Sequence, residues 1–301
     1  MTRILLLFLV FLAGPVAART QVAGPNRPTP QPVFQSDRIV VETRGQGPDV
    51  ILIPGLASTS EVWRRTADRL DDRYRVHLIS IRGFGPMPAQ ANAEGEIIGP
   101  VASELRRYMA AQRMDRPALI GHSMGGLIAL RIASDAPGQV GRVMVVDAAP
   151  FFPSLISSGA TVGDVEPLAR IAYQALMFLG DDALRQQGSA IGGQLGGAAD
   201  SLFNSMGWQG GNRAVLAQSL YEVMTTDLRH RLSSITAPVS VVYGWSPDDA
   251  SPRAHVDGLF RASYANLRSP GRFERIEGAE HMVMLDRPTA FYAALDRFLS
   301  Q

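Results

Sequence analysis

Apolar residues follow two rhythms along this chain. Short unbroken runs, such as Val50-Ile51-Leu52-Ile53 and Val143-Met144-Val145-Val146, alternate with longer stretches whose apolar positions recur every three to four residues. An unbroken run of four or five suits a strand covered on both faces, as in a parallel sheet, and the longer spacing suits a helix that buries one stripe. Strands are therefore predicted near residues 38–42, 50–53, 75–81, 118–120, 143–147, 239–244 and 273–276. Helices are predicted near 61–70, 97–113, 127–133, 254–264 and 289–299. Ser60 can cap the first helix, and Val101, Leu105, Tyr108 and Met109 form the apolar stripe of the second. Strands alternating with helices at this spacing specify an α/β fold: a mostly parallel central sheet flanked by helices, joined by right-handed crossovers.

Two regions break the pattern. From 151 to 232 the chain is helical but rich in glycine, methionine and aromatic residues, with Met177, Phe178, Phe203, Met206 and Trp208 around Gly192-Gly193 and Gly196-Gly197. This predicts a helical cap, 151–232, inserted after the strand at 143–147, between a first core part at 37–150 and a second at 233–301. Its glycines predict enough mobility for the cap to gate a site beneath it. At the N-terminus, Arg3, an apolar run over 4–13 and Pro15-Val16-Ala17-Ala18 have the layout of a secretory signal peptide, 1–18, cleaved after about Ala18. The apolar run is shorter than the roughly 20 residues that span a bilayer, so the expectation is an exported protein, periplasmic or secreted, with no stable membrane span after cleavage. Residues 19–36, with Pro25, Pro28, Pro30 and Pro32, read as an extended linker that does not pack.

Composition narrows the chemistry. The 29 basic residues are all arginine, and neither lysine nor cysteine occurs. A Schiff-base or P-loop lysine, a thiol nucleophile and a cysteine-ligated metal are excluded. A formal net charge of +1 gives no electrostatic footprint for nucleic acid. With 46% hydrophobic and 19% charged residues over 301 positions, the chain has the makings of a globular domain with a full core.

Among the remaining nucleophiles one serine is singled out by its setting. The apolar strand Ala118-Leu119-Ile120 runs into Gly121-His122-Ser123-Met124-Gly125, and a helical pattern follows at once. This is the strand-turn-helix arrangement of the G-x-S-x-G elbow, which presents Ser123 at a sharp turn. A serine hydroxyl needs a base and a carboxylate to orient that base, and in this arrangement they follow in the order serine, acid, histidine at the ends of strands. Of the five histidines, His77 lies in a strand, His230 near the end of the cap, His122 beside the serine as a packing or loop residue, and His255 in a predicted helix. His281, in the loop after the last strand, is the candidate base. Two carboxylates, Asp248 and Asp249, share the loop after the strand at 239–244 and are the candidate acids. The backbone N–H groups of Met124 and of Leu56, after the strand at 50–53, are the candidate oxyanion donors.

With these parts in order, the chain resembles the α/β-hydrolase superfamily over 37–301. Gly121-His122-Ser123-Met124-Gly125-Gly126 matches its elbow, Gly278-Ala279-Glu280-His281 is similar to its G-x-x-H, and Leu285-Asp286-Arg287-Pro288 resembles the stretch that follows. The family's acid loop, G-x-x-D-x-x-x-P, points to Asp248 when counted back from Pro252; counted forward from Gly244 it falls on Pro247, as if one residue were inserted. The family's H-G oxyanion loop reads Pro54-Gly55 here. The resemblance implies a serine hydrolase that cleaves a small-molecule carboxylic ester through an acyl-enzyme, with no metal or organic cofactor. A serine rather than an aspartate at the elbow argues against haloalkane dehalogenase or epoxide hydrolase chemistry. The same groups could cleave amides or lactones, in which case Glu166, Asp181, Asp182 or Asp200 of the cap could hold an amine. A non-catalytic binding protein on the same fold is the remaining alternative.

Overall fold

In the computed structural model, which describes residues 32–178, 210–247 and 251–300, the predicted strands form one sheet. The strands are β1 (Pro32–Gln35), β2 (Ile39–Arg44), β3 (Asp49–Ile53), β4 (Arg75–Ile81), β5 (Ala118–His122), β6 (Arg142–Val146), β7 (Val239–Trp245) and β8 (Arg272–Glu277), in spatial order β1-β2-β4-β3-β5-β6-β7-β8. From β4 to β8 every pairing is parallel, and β2 pairs antiparallel with both β1 and β4. The helices are α1 (Arg64–Leu70), α2 (Ile98–Ala111), α3 (Met124–Asp135), α4 (Val162–Phe178), α5 (Arg213–Thr225), α6 (Arg253–Ser263), α7 (Val283–Asp286) and α8 (Pro288–Leu299). The apolar runs behave as strands buried on both faces. Along β3, Ile51 and Ile53 join the core on one side of the sheet while Val50 and Leu52 join the core on the other. Each such side chain taken out of water contributes about 1.5–3 kcal/mol, which is why these short runs dominate the stability of the sheet.

The stretch read as an unpacked linker ends differently from expectation. Its last residues, Pro32–Gln35, form β1, pairing with β2 through Phe34↔Val41 and Gln35↔Val40. The Phe34 ring lies 4.8 Å from that of Tyr108, with the Arg107 guanidinium 5.2 Å from its centre. Without β1, strand β2 would leave a row of N–H and C=O groups open at the sheet edge. The segment read as a signal peptide lies outside the described residues.

His77 sits inside β4 as predicted and is fully buried. Its Nε2 is 2.8 Å from Asp49 Oδ1 and its Nδ1 is 2.7 Å from the Tyr108 hydroxyl, so its polar atoms are satisfied internally. Burial pushes its pKa down, and the network is a structural one at the amino-terminal end of β3 and β4.

The predicted cap begins after β6. Helices α4 and α5 pack together, and Met177 and Phe178 belong to α4. Phe203, Met206, Trp208, the glycine pairs and the three cap aspartates named above lie outside the described residues, and so does most of the segment expected to gate. Several contacts tie the described part of the segment read as a cap to the core. Gly85 N–H donates to Gly210 O at 2.9 Å and Asn212 N–H to Gly83 O at 2.7 Å. Leu228 N–H donates to Pro150 O at 2.8 Å, and the Arg231 guanidinium is ion-paired with Asp135 on α3. The buried carboxylate of Glu222, on α5, accepts the N–H groups of Ile97 and Ile98 at 2.7 Å each, at the start of α2.

Those two amides are donors that a helix start leaves without an internal partner, and a negative charge there is favoured by the helix dipole. Burial nevertheless pushes the Glu222 pKa up. Glu222→Ala leaves both amides unpaired in a dry site, at about 1–3 kcal/mol each. Urea unfolding is expected to show a loss of about 3 kcal/mol for this variant, on the same scale of unpaired buried donors. A loss below about 1 kcal/mol would mean that the cap is not held by this contact.

Candidate active site

The elbow is built by close approach of backbones. An ideal Cβ on Gly121 would lie 2.1 Å from Gly125 O, and one on Gly125 would lie 2.3 Å from Ile53 O. Any larger residue at either place would force β5, α3 and the end of β3 apart. Between them Ser123 takes φ 51° and ψ −124°, a conformation costly for a residue with a side chain. Backbone hydrogen bonds maintain it. Ser123 N–H donates to Val146 O at 2.9 Å, extending the β5–β6 ladder, and Gly126 N–H donates to Ser123 O at 2.8 Å as α3 begins.

His281 lies in the loop after β8, as predicted. Its Nδ1 is 2.7 Å from Asp147 Oδ2. A carboxylate at Nδ1 fixes that nitrogen as the donor and leaves Nε2 as the basic atom. Among the described residues the carboxylate on His281 is Asp147; Asp248 and Asp249 lie outside the described residues. Asp147 is the first residue after β6, with φ 47°. Its N–H continues the sheet to Val242 O at 2.8 Å, and its second oxygen, Oδ1, accepts Gly244 N–H at 3.0 Å. Both oxygens are thus held.

Gly244 explains how His281 reaches past β7. A Cβ at this glycine would lie 2.5 Å from Glu280 O and 2.6 Å from Ala279 O. The histidine loop crosses directly over the glycine, anchored by Gly278 N–H to Trp245 O at 2.7 Å. The glycine that opens the family's acid loop here serves as the crossing point and as a donor to Asp147. One signal for Asp147 was present in the sequence. It follows β6 as Ser123 follows β5, and it keeps the order serine, acid, histidine.

His122, expected to pack or to sit in a loop, is the last residue of β5 and is fully buried. Its Nε2 is 2.9 Å from His281 O, and the two imidazole centres are 4.6 Å apart. Burial, reinforced by the neighbouring His281, pushes its pKa down to about 3.

Met124 is the first residue of α3, so its N–H is one that the helix leaves unpaired, at the positive end of the helix dipole. Leu56 lies in the turn after β3, followed by Ala57 at φ 57°. The turn leans on the elbow: a Cβ on Gly55 would be 2.9 Å from His122 Nδ1 and 3.0 Å from Ser123 Cβ. Glu166, one of the possible amine anchors, is ion-paired with Arg170 and accepts the Tyr221 hydroxyl at 3.2 Å, between the two described cap helices.

Residues 50–295 match the alpha/beta hydrolase family. Among curated relatives, the chain is 28% identical to a pimeloyl-[acyl-carrier protein] methyl ester esterase of Aeromonas hydrophila, over 87% of this chain and 99% of the relative. It is 29% identical to the protein of the same name from Edwardsiella ictaluri, over 83% of this chain and 92% of the relative. Among solved structures, an esterase from Exiguobacterium antarcticum superposes with a TM-score of 0.62 at 21% identity, covering 87% of this chain and 96% of that one. The chain belongs to the alpha/beta hydrolase family and is a hydrolase, one whose curated relatives are esterases.

Proposed function

We propose that this protein hydrolyses a carboxylic ester through an acyl-enzyme, with Ser123 as nucleophile, His281 as general base and acid, and Asp147 as the carboxylate that orients His281. The observation that carries this reading is the 2.7 Å contact between His281 Nδ1 and Asp147 Oδ2, on the same sheet edge as the strained Ser123. His281 Nε2 takes the serine proton as Oγ attacks the ester carbonyl, and the imidazolium that forms is stabilised by Asp147. The oxyanion of the tetrahedral intermediate is held by the N–H groups of Met124 and Leu56. His281 then protonates the departing alcohol. Water, deprotonated by the same nitrogen, attacks the acyl-enzyme, releases the acid and restores Ser123. The esterase relatives support ester over amide, and the arginine-only, cysteine-free composition leaves serine as the nucleophile that fits the elbow.

A fluorophosphonate probe, followed by peptide mapping, tests the nucleophile, and p-nitrophenyl esters of graded chain length beside aminoacyl and lactone substrates test the bond cleaved. The expected result is a single adduct on Ser123 and turnover fastest on an ester. Labelling elsewhere, or faster cleavage of an anilide or lactone than of every ester, overturns the corresponding part of the reading.

A further inference from the structure

His122 belongs to none of the roles just described, yet it touches all three parts of the site. It directly precedes Ser123, its Nε2 faces His281 O at 2.9 Å, and its Nδ1 lies against Gly55 at the start of the oxyanion turn. A carbonyl oxygen can only accept, so Nε2 carries the hydrogen. The ring stays neutral above pH about 3, because burial and the adjacent His281 both oppose a second proton. A neutral ring with its hydrogen on Nε2 has a bare lone pair at Nδ1, and that atom is buried with no hydrogen-bond partner among the described residues. Among the described residues, the bond to His281 O is therefore the one polar contact that orients the ring. With imidazole centres 4.6 Å apart, the same ring also supports the His281 side chain.

We propose that His122 is a positioning residue for the base: it clamps the backbone of His281 and backs its ring, so that Nε2 of His281 faces Ser123 while Nδ1 stays on Asp147. The proposal rests on the assignment of Ser123 and His281 as nucleophile and base. A pure filler of this space would need neither the donor nor the unpaired nitrogen, which is a costly thing to bury. Neutrality also matters chemically. During acylation His281 becomes a cation, and a charged neighbour at 4.6 Å would oppose it where a neutral ring does not.

Two variants separate the clamp from simple packing. His122→Phe keeps a flat ring and removes the donor, whereas His122→Gln keeps an N–H that can reach the same carbonyl. His122→Phe is expected to lower kcat about 10- to 100-fold with KM changed less than about threefold, as follows from misplacing a reacting group. His122→Gln is expected to recover most of that loss, and the acid limb of its pH–rate profile is expected to coincide with that of the wild type because His122 does not titrate there. Circular dichroism and the urea midpoint show whether each variant is folded. Wild-type kcat in a folded His122→Phe protein overturns the proposal. So does an equal loss in both variants, or a shifted acid limb in His122→Gln. If Ser123→Ala retains wild-type turnover, the assignment of the nucleophile fails instead, so the two failures are distinguishable.

Discussion

Asp147→Asn lowers kcat for ester hydrolysis by about 10⁴-fold, the expected result when a triad histidine loses its orienting carboxylate. Asparagine fits the same space and can still accept Gly244 N–H through its carbonyl. It cannot stabilise the His281 imidazolium with a charge, and an amide nitrogen turned toward the ring would favour the wrong tautomer, with Nε2 protonated and unable to take the proton of Ser123. The loss should fall on kcat rather than KM, because the missing interaction belongs to the transition state. Asp248→Asn and Asp249→Asn are the matched comparisons and are expected to stay within about twofold of wild type, because the reading gives the orienting role to the carboxylate already on His281 Nδ1. Steady-state kinetics on one p-nitrophenyl ester decides the matter. If Asp248→Asn or Asp249→Asn carries the large loss and Asp147→Asn does not, Asp147 is a structural partner of His281 and the acid lies in the loop after β7.

Replacing Ser123 has the largest effect on rate and, where glycine takes its place, an opposite one on stability. Ser123→Ala removes the nucleophile and is expected to reduce turnover by about 10⁶-fold. Alanine must still adopt φ 51° and ψ −124°, so the strain remains and the stability of this variant stays close to that of the wild type. Ser123→Gly is equally inactive but adopts the same backbone freely. Strain of about 1–3 kcal/mol is relieved, against about 0.5–1 kcal/mol of added freedom in the unfolded chain, for a net gain of about 1 kcal/mol. Urea titration of the two variants side by side measures this difference directly. A glycine variant less stable than the alanine variant would show that the elbow is not strained in solution. Turnover by Ser123→Ala at the wild-type rate would remove Ser123 as nucleophile altogether.

The sequence alone was enough for whatever depends on neighbours along the chain. Apolar runs and alternation read in isolation located seven of the strands, because the period of a strand depends only on neighbours along the chain. The elbow was legible because its glycines are required within one turn, where Gly121 meets Gly125. His281 was legible because it is the histidine that follows the last strand. What escaped depends on segments far apart in sequence. Phe34 turns a proline-rich stretch into β1 through contacts with Tyr108 and Arg107, and Glu222 finds its amide partners at Ile97 and Ile98 across the cap boundary. His122 gained its contact only when the loop after β8 folded over the elbow. The contact between His281 and Asp147 arises in the same way. Spacing within one loop points to Asp248, but the strand ends carry several carboxylates within a few residues of the sheet edge. Which of them meets His281 depends on how closely the histidine loop can cross β7. Gly244 lets that loop settle onto the strand, and His281 then reaches the end of β6, where Asp147 waits with its other oxygen already held. Local sequence sets period and turn. The approach of one loop to another strand is a matter of packing, and only the folded chain determines it.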